Sequence, residues 1–405
     1  MTTPDVSPDG PGASWAWNEL GLTLRALGRE EEALAAFSRA GEPARGEPAL
    51  VFEQADLLLA QKRFQDAADV LERYLADHPR SPYAWAKLGH ALRRLGRADE
   101  AARACDRALE LDPNYAWAWN VRGLALLTLD EPTEALAAFQ KASTLDPDSV
   151  WHWYNLGDAL AALHRYAEAA TALERALAMQ PGHAESWAKL GQARRRQSQL
   201  ADALAAYDQA LALDPHYAWA WHGRGQTLQD LGRREEALAS FERAVQEDSK
   251  VIWYTHSLVD LLLELGRKTD ALAAAEAGTR AVPDSAAAWA RLGQAQRRLS
   301  RFREAVESYR QAVALDPHYG WAWNGLGLAC MALNQADEAA EAFTEAVRYS
   351  PKDVWFWRNY GDALMLLDAC ERAVMAYERA LALEPDHQPT VNKLAFARDS
   401  AGNED

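Results

Sequence analysis

The sequence predicts an all-α protein built from repeated pairs of antiparallel helices. Three observations support this prediction: tryptophans recur with a period of 34 residues, a glycine and an alanine follow them at constant offsets, and prolines mark the joints. The chain has 405 residues, far more than one hydrophobic core usually organises, so several domains or a repeat array are expected.

Steps of 34 residues from Trp17 meet a tryptophan at nine of eleven positions. Glycine follows four residues later in the same nine units, and alanine follows sixteen residues later in all eleven, from Ala33 to Ala373. The nine tryptophans are Trp17, Trp85, Trp119, Trp153, Trp187, Trp221, Trp289, Trp323 and Trp357.

Helical spacing accounts for the recurring residues. Trp119, Gly123 and Leu126 share one face of a first helix, and Ala33 and Phe37 share one face of a second. Glycine lets a neighbouring helix approach closely, and proline ends the preceding helix. A single helix pair cannot bury its own apolar face, so the pairs are expected to stack and to bury the tryptophans between them.

The stretch PHYAWAWHGRGQTLQDLG at 216–233, with Pro215, Ala237 and Phe241, resembles the tetratricopeptide repeat. The resemblance extends over residues 14–387 as eleven repeats without an insertion. It implies antiparallel helix pairs stacked into a right-handed superhelix, an α-solenoid.

The chain is expected to have three parts. Residues 1–13 form a short tail, predicted to be disordered, and residues 14–387 form the eleven repeats. Residues 388–405 form a capping helix and a polar tail, with Val391, Leu394 and Ala395 facing inward. Near-copies of one motif, NYAWAWNVRG, HYAWAWHGRG and HYGWAWNGLG, recur every 102 residues, so the repeats are grouped in threes.

All sixteen tryptophans occupy two positions of the repeat. With the conserved spacing numbered so that the nine core tryptophans stand at position 4, the other seven stand at position 2. The resemblance implies that positions 2, 5, 6, 9, 12 and 13 of the first helix line a concave groove. Their spacing places them on one helical face.

Three kinds of repeat alternate along this face. Basic repeats carry Lys87, Arg93 and Arg94; Lys189, Arg195 and Arg196; and Arg291, Arg297 and Arg298. Aromatic–amide repeats carry a tryptophan at position 2 and a polar residue at position 5: Trp117 with Asn120, Trp219 with His222, and Trp321 with Asn324. Aromatic–acidic repeats carry a tryptophan at position 2 and an aspartate at position 9: Trp151 with Asp158, Trp253 with Asp260, and Trp355 with Asp362.

These residues have two alternative interpretations. Arginine suits carboxylate or phosphate by paired hydrogen bonds, and exposed tryptophan offers stacking area, so the set could bind a partner. Alternatively, the position-2 tryptophans pack against neighbouring helices and the aspartates pair with arginines inside the groove. Sequence alone leaves both open.

No catalytic constellation is found. The sequence contains no G-x-x-x-x-G-K-[ST], H-E-x-x-H or G-x-S-x-G motif, so neither an enzyme nor a cofactor or metal site is predicted. Cys105 and Cys330 are expected in the core, whereas Cys370 near a helix turn could be exposed. The absence of a signal peptide or membrane span and the unpaired cysteines predict a cytoplasmic protein.

The leading functional prediction is a non-catalytic scaffold that binds an extended peptide or a helix of a partner protein in its groove. The basic triplets favour acidic segments of that partner, and the net charge of −16 argues against nucleic-acid and membrane binding. The alternative is a structural subunit that self-associates through its N-terminal repeat or sits in a larger complex. A third possibility is binding of a polyanion or glycan.

Overall fold

The computed structural model describes residues 13–39 and 48–401, and every element in these ranges is an α-helix. Two compact units divide the chain, Met1–Gln209 and Ala210–Asp405. Of the tail predicted at 1–13, residues 1–12 lie outside the described residues, as do 402–405 of the predicted C-terminal segment.

Twelve helices begin in unit 1, and the last of them runs into unit 2. They are α1 Ala13–Ala26, α2 Glu30–Arg39, α3 Pro48–Ala60, α4 Phe64–Asp77, α5 Pro82–Arg94, α6 Ala98–Leu111, α7 Ala116–Thr128, α8 Pro132–Leu145, α9 Val150–Ala162, α10 Tyr166–Met179, α11 Ala184–Arg196 and α12 Leu200–Leu213.

Eleven further helices complete the described part of unit 2. They are α13 Ala218–Asp230, α14 Arg234–Glu247, α15 Ile252–Glu264, α16 Lys268–Ala281, α17 Ala286–Arg298, α18 Phe302–Leu315, α19 Gly320–Ala332, α20 Ala336–Tyr349, α21 Val354–Leu366, α22 Cys370–Leu383 and α23 Gln388–Ala401.

Within each unit the helices pair and stack as the repeat predicts. In unit 1, α5 packs on α6, α6 packs on α7, and the first helices α5 and α7 also touch. In unit 2, α17, α18 and α19 repeat this arrangement. The all-α solenoid prediction is confirmed at the level of these stacked pairs.

A three-residue turn joins the two helices of a repeat, and its middle residue, position 15, has a left-handed backbone. Gly96 has φ +79°, a conformation that glycine adopts without steric cost. Seven turns place a residue with a side chain there instead, which is unfavourable for L-residues. These residues are Lys62, Asp130, His164, Ser198, Ser300, Asn334 and Asp368.

The glycine at position 8 faces a large side chain at position 24 of the same repeat. A Cβ added to Gly225 would lie 2.6 Å from Cε1 of Phe241, which is completely buried. The glycine therefore lets the first helix rest directly on the aromatic ring of the second.

The core tryptophans at position 4 are half-buried rather than enclosed. Trp221 donates a hydrogen bond from Nε1 to the carbonyl oxygen of Pro215 at 2.9 Å, and Trp119 bonds Pro113 in the same way. One edge of each indole therefore anchors the preceding joint while the rest packs between helices. This bond explains why tryptophan and proline recur together.

Repeat eight, at 252–285, departs from the pattern by exchanging side-chain sizes. Val259 replaces the glycine of position 8, and the facing residue is Ala275 instead of an aromatic. Both are buried, as is Thr255, which replaces the core tryptophan. The small residue has moved to the second helix, so the pair still closes.

The expected inward face of α23 is wrong by a fraction of a turn. Thr390, Leu394 and Ala397 are buried, whereas Val391 and Ala395 are exposed. Val391 and Ala395 stand at positions 4 and 8, which in other repeats pack on the second helix of the same repeat. Within the described residues no helix follows α23, so these positions remain uncovered.

Candidate functional site

The residues singled out by the sequence lie on the first helices of the repeats. We use "first-helix face" for positions 2, 5, 6, 9, 12 and 13 of these helices in one unit. First helices of successive repeats touch one another in both units, as α7 touches α9 and α15 touches α17. Side chains on this face can therefore bridge neighbouring repeats.

An ion pair joins each aromatic–acidic repeat to the basic repeat that follows it. Lys189 Nζ lies 2.5 Å from Asp158 Oδ1, and Arg291 Nη1 lies 2.5 Å from Asp260 Oδ1. The position-9 aspartate and the position-6 cation are always 31 residues apart. The four pairs are Asp56–Lys87, Asp158–Lys189, Asp260–Arg291 and Asp362–Lys393.

A cation–π contact joins the basic repeat to the aromatic–amide repeat. The guanidinium carbon of Arg291 lies 5.1 Å from the ring centroid of Trp321. Lys87 Nζ lies 5.6 Å from the centroid of Trp117 and 4.7 Å from that of Tyr83. The position-6 cation thus touches a carboxylate of the preceding repeat and an indole of the following one.

A hydrogen bond between polar side chains joins the aromatic–amide repeat to the aromatic–acidic repeat. Asn155 Nδ2 donates to Asn120 Oδ1 at 2.8 Å, and an asparagine pair in unit 2 repeats this distance. In the middle copy, His222 Nε2 and Ser257 Oγ are 2.9 Å apart.

These contacts account for much of the predicted site. Lys87, Asn120 and Asn324 are buried, and Trp117, Trp219 and Trp321 are half-buried. His222 is half-buried too and packs its ring against Phe241 and Tyr254. A ligand would have little access to these seven residues. The structure gives them contacts within their unit, which is the packing alternative described above.

The position-2 tryptophans of the aromatic–acidic repeats differ from the others because they are exposed. Trp151 and Trp253 are each 58 % exposed, and Trp355 is 65 % exposed. Trp151 meets the ring of His183 edge-on with centroids 5.0 Å apart, and the guanidinium carbon of Arg358 lies 5.2 Å from the ring of Trp355. Each indole therefore keeps a solvent-accessible surface beside polar neighbours.

The residue 30 positions before each position-2 tryptophan explains the difference. For Trp117 and Trp321 that residue is Lys87 or Arg291, which covers the ring. For the three exposed tryptophans it is a small or short residue that offers no such cover. These residues are Val121, Gly223 and Gly325. The sequence contained this signal, but only the structure shows which neighbour covers which ring.

The remaining basic residues stand at positions 12 and 13. Arg94, Arg196 and Arg298 are exposed at the ends of their helices, and the guanidinium carbon of Arg94 lies 4.6 Å from the ring of Phe64. The position-12 residues Arg93, Arg195 and Arg297 are half-buried. The Nε atoms of Arg93 and Arg297 are buried without a hydrogen-bond partner.

Two histidines on this face are kept neutral. Burial lowers the pKa of His90 to about 4, and the positive charges of Arg93, Arg94 and Lys87 add to this effect. Burial lowers the pKa of His256 to about 4 as well, with Arg291 as the second cause. The charge of the basic repeats therefore comes from arginine and lysine.

The cysteines are all buried. Cys105 and Cys330 lie in the core as predicted, and burial raises the pKa of their thiols to about 12 and about 11. The expectation that Cys370 could be exposed is wrong, because this first residue of α22 is buried where α22 packs back on α21.

Neither a metal cluster nor a membrane helix is found in the ranges 13–39 and 48–401. These residues contain no group of three or more histidine, cysteine, aspartate or glutamate side chains that could hold a metal ion. None of their helices combines the length and the apolar character needed to span a bilayer.

Family models described as tetratricopeptide repeat match most of the chain. The matched residues are 16–40, 52–116, 87–150, 154–218, 194–250, 256–320, 291–353 and 324–387. Repeat arrays of this kind present extended surfaces to partners and are typical of protein–protein interaction scaffolds. No curated protein sequence matches the chain significantly.

Solved structures with similar folds include three for comparison. The chain is 13 % identical to yeast Tom70 with a TM-score of 0.50, and the match covers 98 % of this chain and 97 % of Tom70. YrrB, described as a tetratricopeptide repeat protein with an unusual peptide-binding site, is 23 % identical over 47 % of this chain and 98 % of its own, with a TM-score of 0.41. MamA is 28 % identical over 40 % of this chain and 95 % of its own, with a TM-score of 0.37.

Proposed function

The chain belongs to the tetratricopeptide repeat family, and we propose that it is a non-catalytic scaffold that binds an extended segment of a partner protein on its first-helix faces. The observation that carries the proposal is the exposure of one indole in every third repeat, at Trp151, Trp253 and Trp355.

An exposed indole is a strong anchor for a partner. Large apolar side chains are rarely left in solvent without a role when they recur at one structural position. Tryptophan is enriched among the few residues that dominate binding energy, because it buries a large rigid area on contact. Proline and aromatic side chains of a peptide would stack on these rings.

The arginines at positions 12 and 13 supply the complementary polar contact. Trp253 on α15 is followed by Arg297 and Arg298 on the neighbouring α17. Position 12 lies about 15 Å along a helix from position 2, at 1.5 Å per residue. An extended peptide covers this distance in about five residues, at about 3.3 Å per residue. We therefore infer a proline or aromatic anchor with acidic residues about five residues away.

A phage-displayed library of random 12-residue peptides tests this function. The parent chain should enrich peptides that combine proline or aromatic residues with aspartate or glutamate. The triple variant Trp151→Ala/Trp253→Ala/Trp355→Ala should lose this enrichment while keeping its helical circular dichroism and its melting midpoint, because the replaced rings are exposed.

Matched controls separate binding from folding. Arg297→Glu/Arg298→Glu should select against acidic peptides, whereas Arg310→Glu/Arg348→Glu changes the same charge on second helices and should leave the selection unchanged. Equal enrichment by the parent and the triple tryptophan variant would contradict the proposal.

Self-association through the N-terminal repeat is a second candidate function. Leu20 and Leu27 of α1 are 42 % and 66 % exposed, which supports a contact with another molecule at this end. Light scattering across a concentration series tests it. The mass should rise with concentration for the parent and stay that of a monomer for Leu20→Glu/Leu27→Glu, and a monomeric parent at all concentrations would contradict this candidate.

A further inference from the structure

Two of the exposed indoles belong to the same unit. Trp253 and Trp355 both lie in unit 2, at the same position of their repeats and 102 residues apart. An aspartate follows each of them seven residues later, and each aspartate forms an ion pair with a cation of the next helix in the row.

The surroundings of the two rings are also duplicated. Ser257, four residues after Trp253, is hydrogen-bonded to the preceding repeat, and Asn359, four residues after Trp355, is bonded in the same way. A glycine, Gly223 or Gly325, stands where a covering cation would otherwise be. A peptide group that fits one indole therefore meets similar chemistry at the other.

The row of first helices sets the spacing between them. In unit 2, α15 touches α17, α17 touches α19, and α19 touches α21. Packed helices lie about 8–10 Å apart, so three steps separate the two indoles by roughly 24–30 Å. An extended chain crosses that distance in about 7–9 residues.

We propose that the partner carries at least two anchor motifs in tandem, about eight residues apart, and that unit 2 holds both motifs at once through Trp253 and Trp355. This inference rests on the proposed function and names the class of its ligand: a segment with a repeated proline–aromatic motif.

The surface between the two anchors favours an acidic spacer without a third anchor. Trp321, which lies between them in the row, is covered by Arg291 and is half-buried. Arg298 of α17 is exposed in the same interval, and Arg297 beside it has a buried, unbonded Nε atom. Acidic spacer residues would complement these guanidinium groups.

Capped peptides of defined composition provide the probes. One probe has a single Glu-Pro-Pro-Phe-Glu segment, and three others have two such segments joined by glycine–serine–glutamate spacers of 2, 8 or 20 residues. Binding is measured by fluorescence anisotropy on the full chain with Trp151→Ala, which removes the indole of unit 1.

Linking the motifs should strengthen binding through effective concentration. The probe with the 8-residue spacer should bind at least about tenfold more tightly than the single segment, the 20-residue spacer should give a smaller gain, and the 2-residue spacer should give none. Adding Trp253→Ala or Trp355→Ala should reduce the 8-residue probe to the affinity of the single segment.

The possible outcomes distinguish this inference from the proposed function. If the single segment binds and the linked probes bind no more tightly, or if the gain survives Trp253→Ala, the two-anchor inference is overturned while the proposed function stands. If the single segment fails to bind the parent chain, the proposed motif and this inference fall together.

Discussion

Asn155 donates a hydrogen bond to Asn120 at 2.8 Å across 35 residues of sequence, and Asn359 bonds Asn324 at the same distance. These bonds belong to a set of three contacts, one for each kind of repeat interface: an amide bond, an ion pair and a cation–π contact. Because each interface has its own chemistry, the order of the three repeat types matters. This accounts for a period of 102 residues superimposed on one of 34.

The asparagine bond should contribute to local stability. Asn324→Ala leaves the amide of Asn359 without its acceptor in a half-buried position, so opening of α19 and α21 should become easier by about 1–2 kcal/mol. Amide hydrogen exchange in these helices measures the change. Asn392→Ala on exposed α23 is the control and should have little effect, and equal protection in both variants would show that the bond contributes nothing.

The buried histidine of the basic–acidic interface should make stability depend on pH. The folded pKa of His256 is about 4, whereas the unfolded chain keeps a value near 6.5. Between these values the unfolded chain binds a proton that the folded chain does not, so the free energy of unfolding decreases as the pH falls from 6.5 towards 4. His256→Gln should flatten this dependence in urea unfolding at pH 7 and pH 5.

His318 provides the control for the pH experiment. Its side chain is largely exposed, so His318→Gln should retain the slope of the parent. A slope unchanged by His256→Gln would contradict the role given to burial at this site.

The left-handed turn residues should be sites of easy stabilisation. Ser300 has φ +59°, and Ser300→Gly should raise the free energy of unfolding by about 1 kcal/mol because glycine adopts this conformation without a Cβ clash. Chemical denaturation measures the effect. The reverse change, Gly266→Ser at φ +75°, should lower stability, and stabilisation by it would argue against the steric explanation.

Repeat eight suggests a compensating double substitution. Phe241→Ala alone should cost about 3–5 kcal/mol by opening a cavity, and Gly225→Val alone should clash with the Phe241 ring. The double variant Gly225→Val/Phe241→Ala copies the buried pair Val259 and Ala275 and should cost less than the two single changes together. Thermal unfolding of all three variants tests this, and additive losses would show that repeat eight closes in another way.

Periodicity alone predicts most of the fold. The 34-residue spacing of tryptophan, glycine, alanine and proline identifies the helix pairs, because each of these residues has one local packing role. The burial of α23 was predicted less well, since Val391 and Ala395 depend on a helix that follows in other repeats. A pattern on one helix does not show which neighbour will cover it.

The site was harder to predict for the same reason. Trp321 and Trp355 stand at the same repeat position, yet Arg291 covers the first ring, and the second has Gly325 at the corresponding place. Likewise Lys189 carries a charge that Asp158 already partners. Composition revealed the chemistry of the first-helix face, but accessibility depends on residues about 30 positions away.

The central claim is that exposed indoles bind the partner while covered indoles hold the repeats together. Trp355→Ala and Trp321→Ala, compared in one experiment on peptide binding and thermal unfolding, test it most directly. We expect Trp355→Ala to weaken binding of the peptide with two Glu-Pro-Pro-Phe-Glu segments at an unchanged melting midpoint, and Trp321→Ala to lower the midpoint. Unchanged binding by Trp355→Ala would contradict the account.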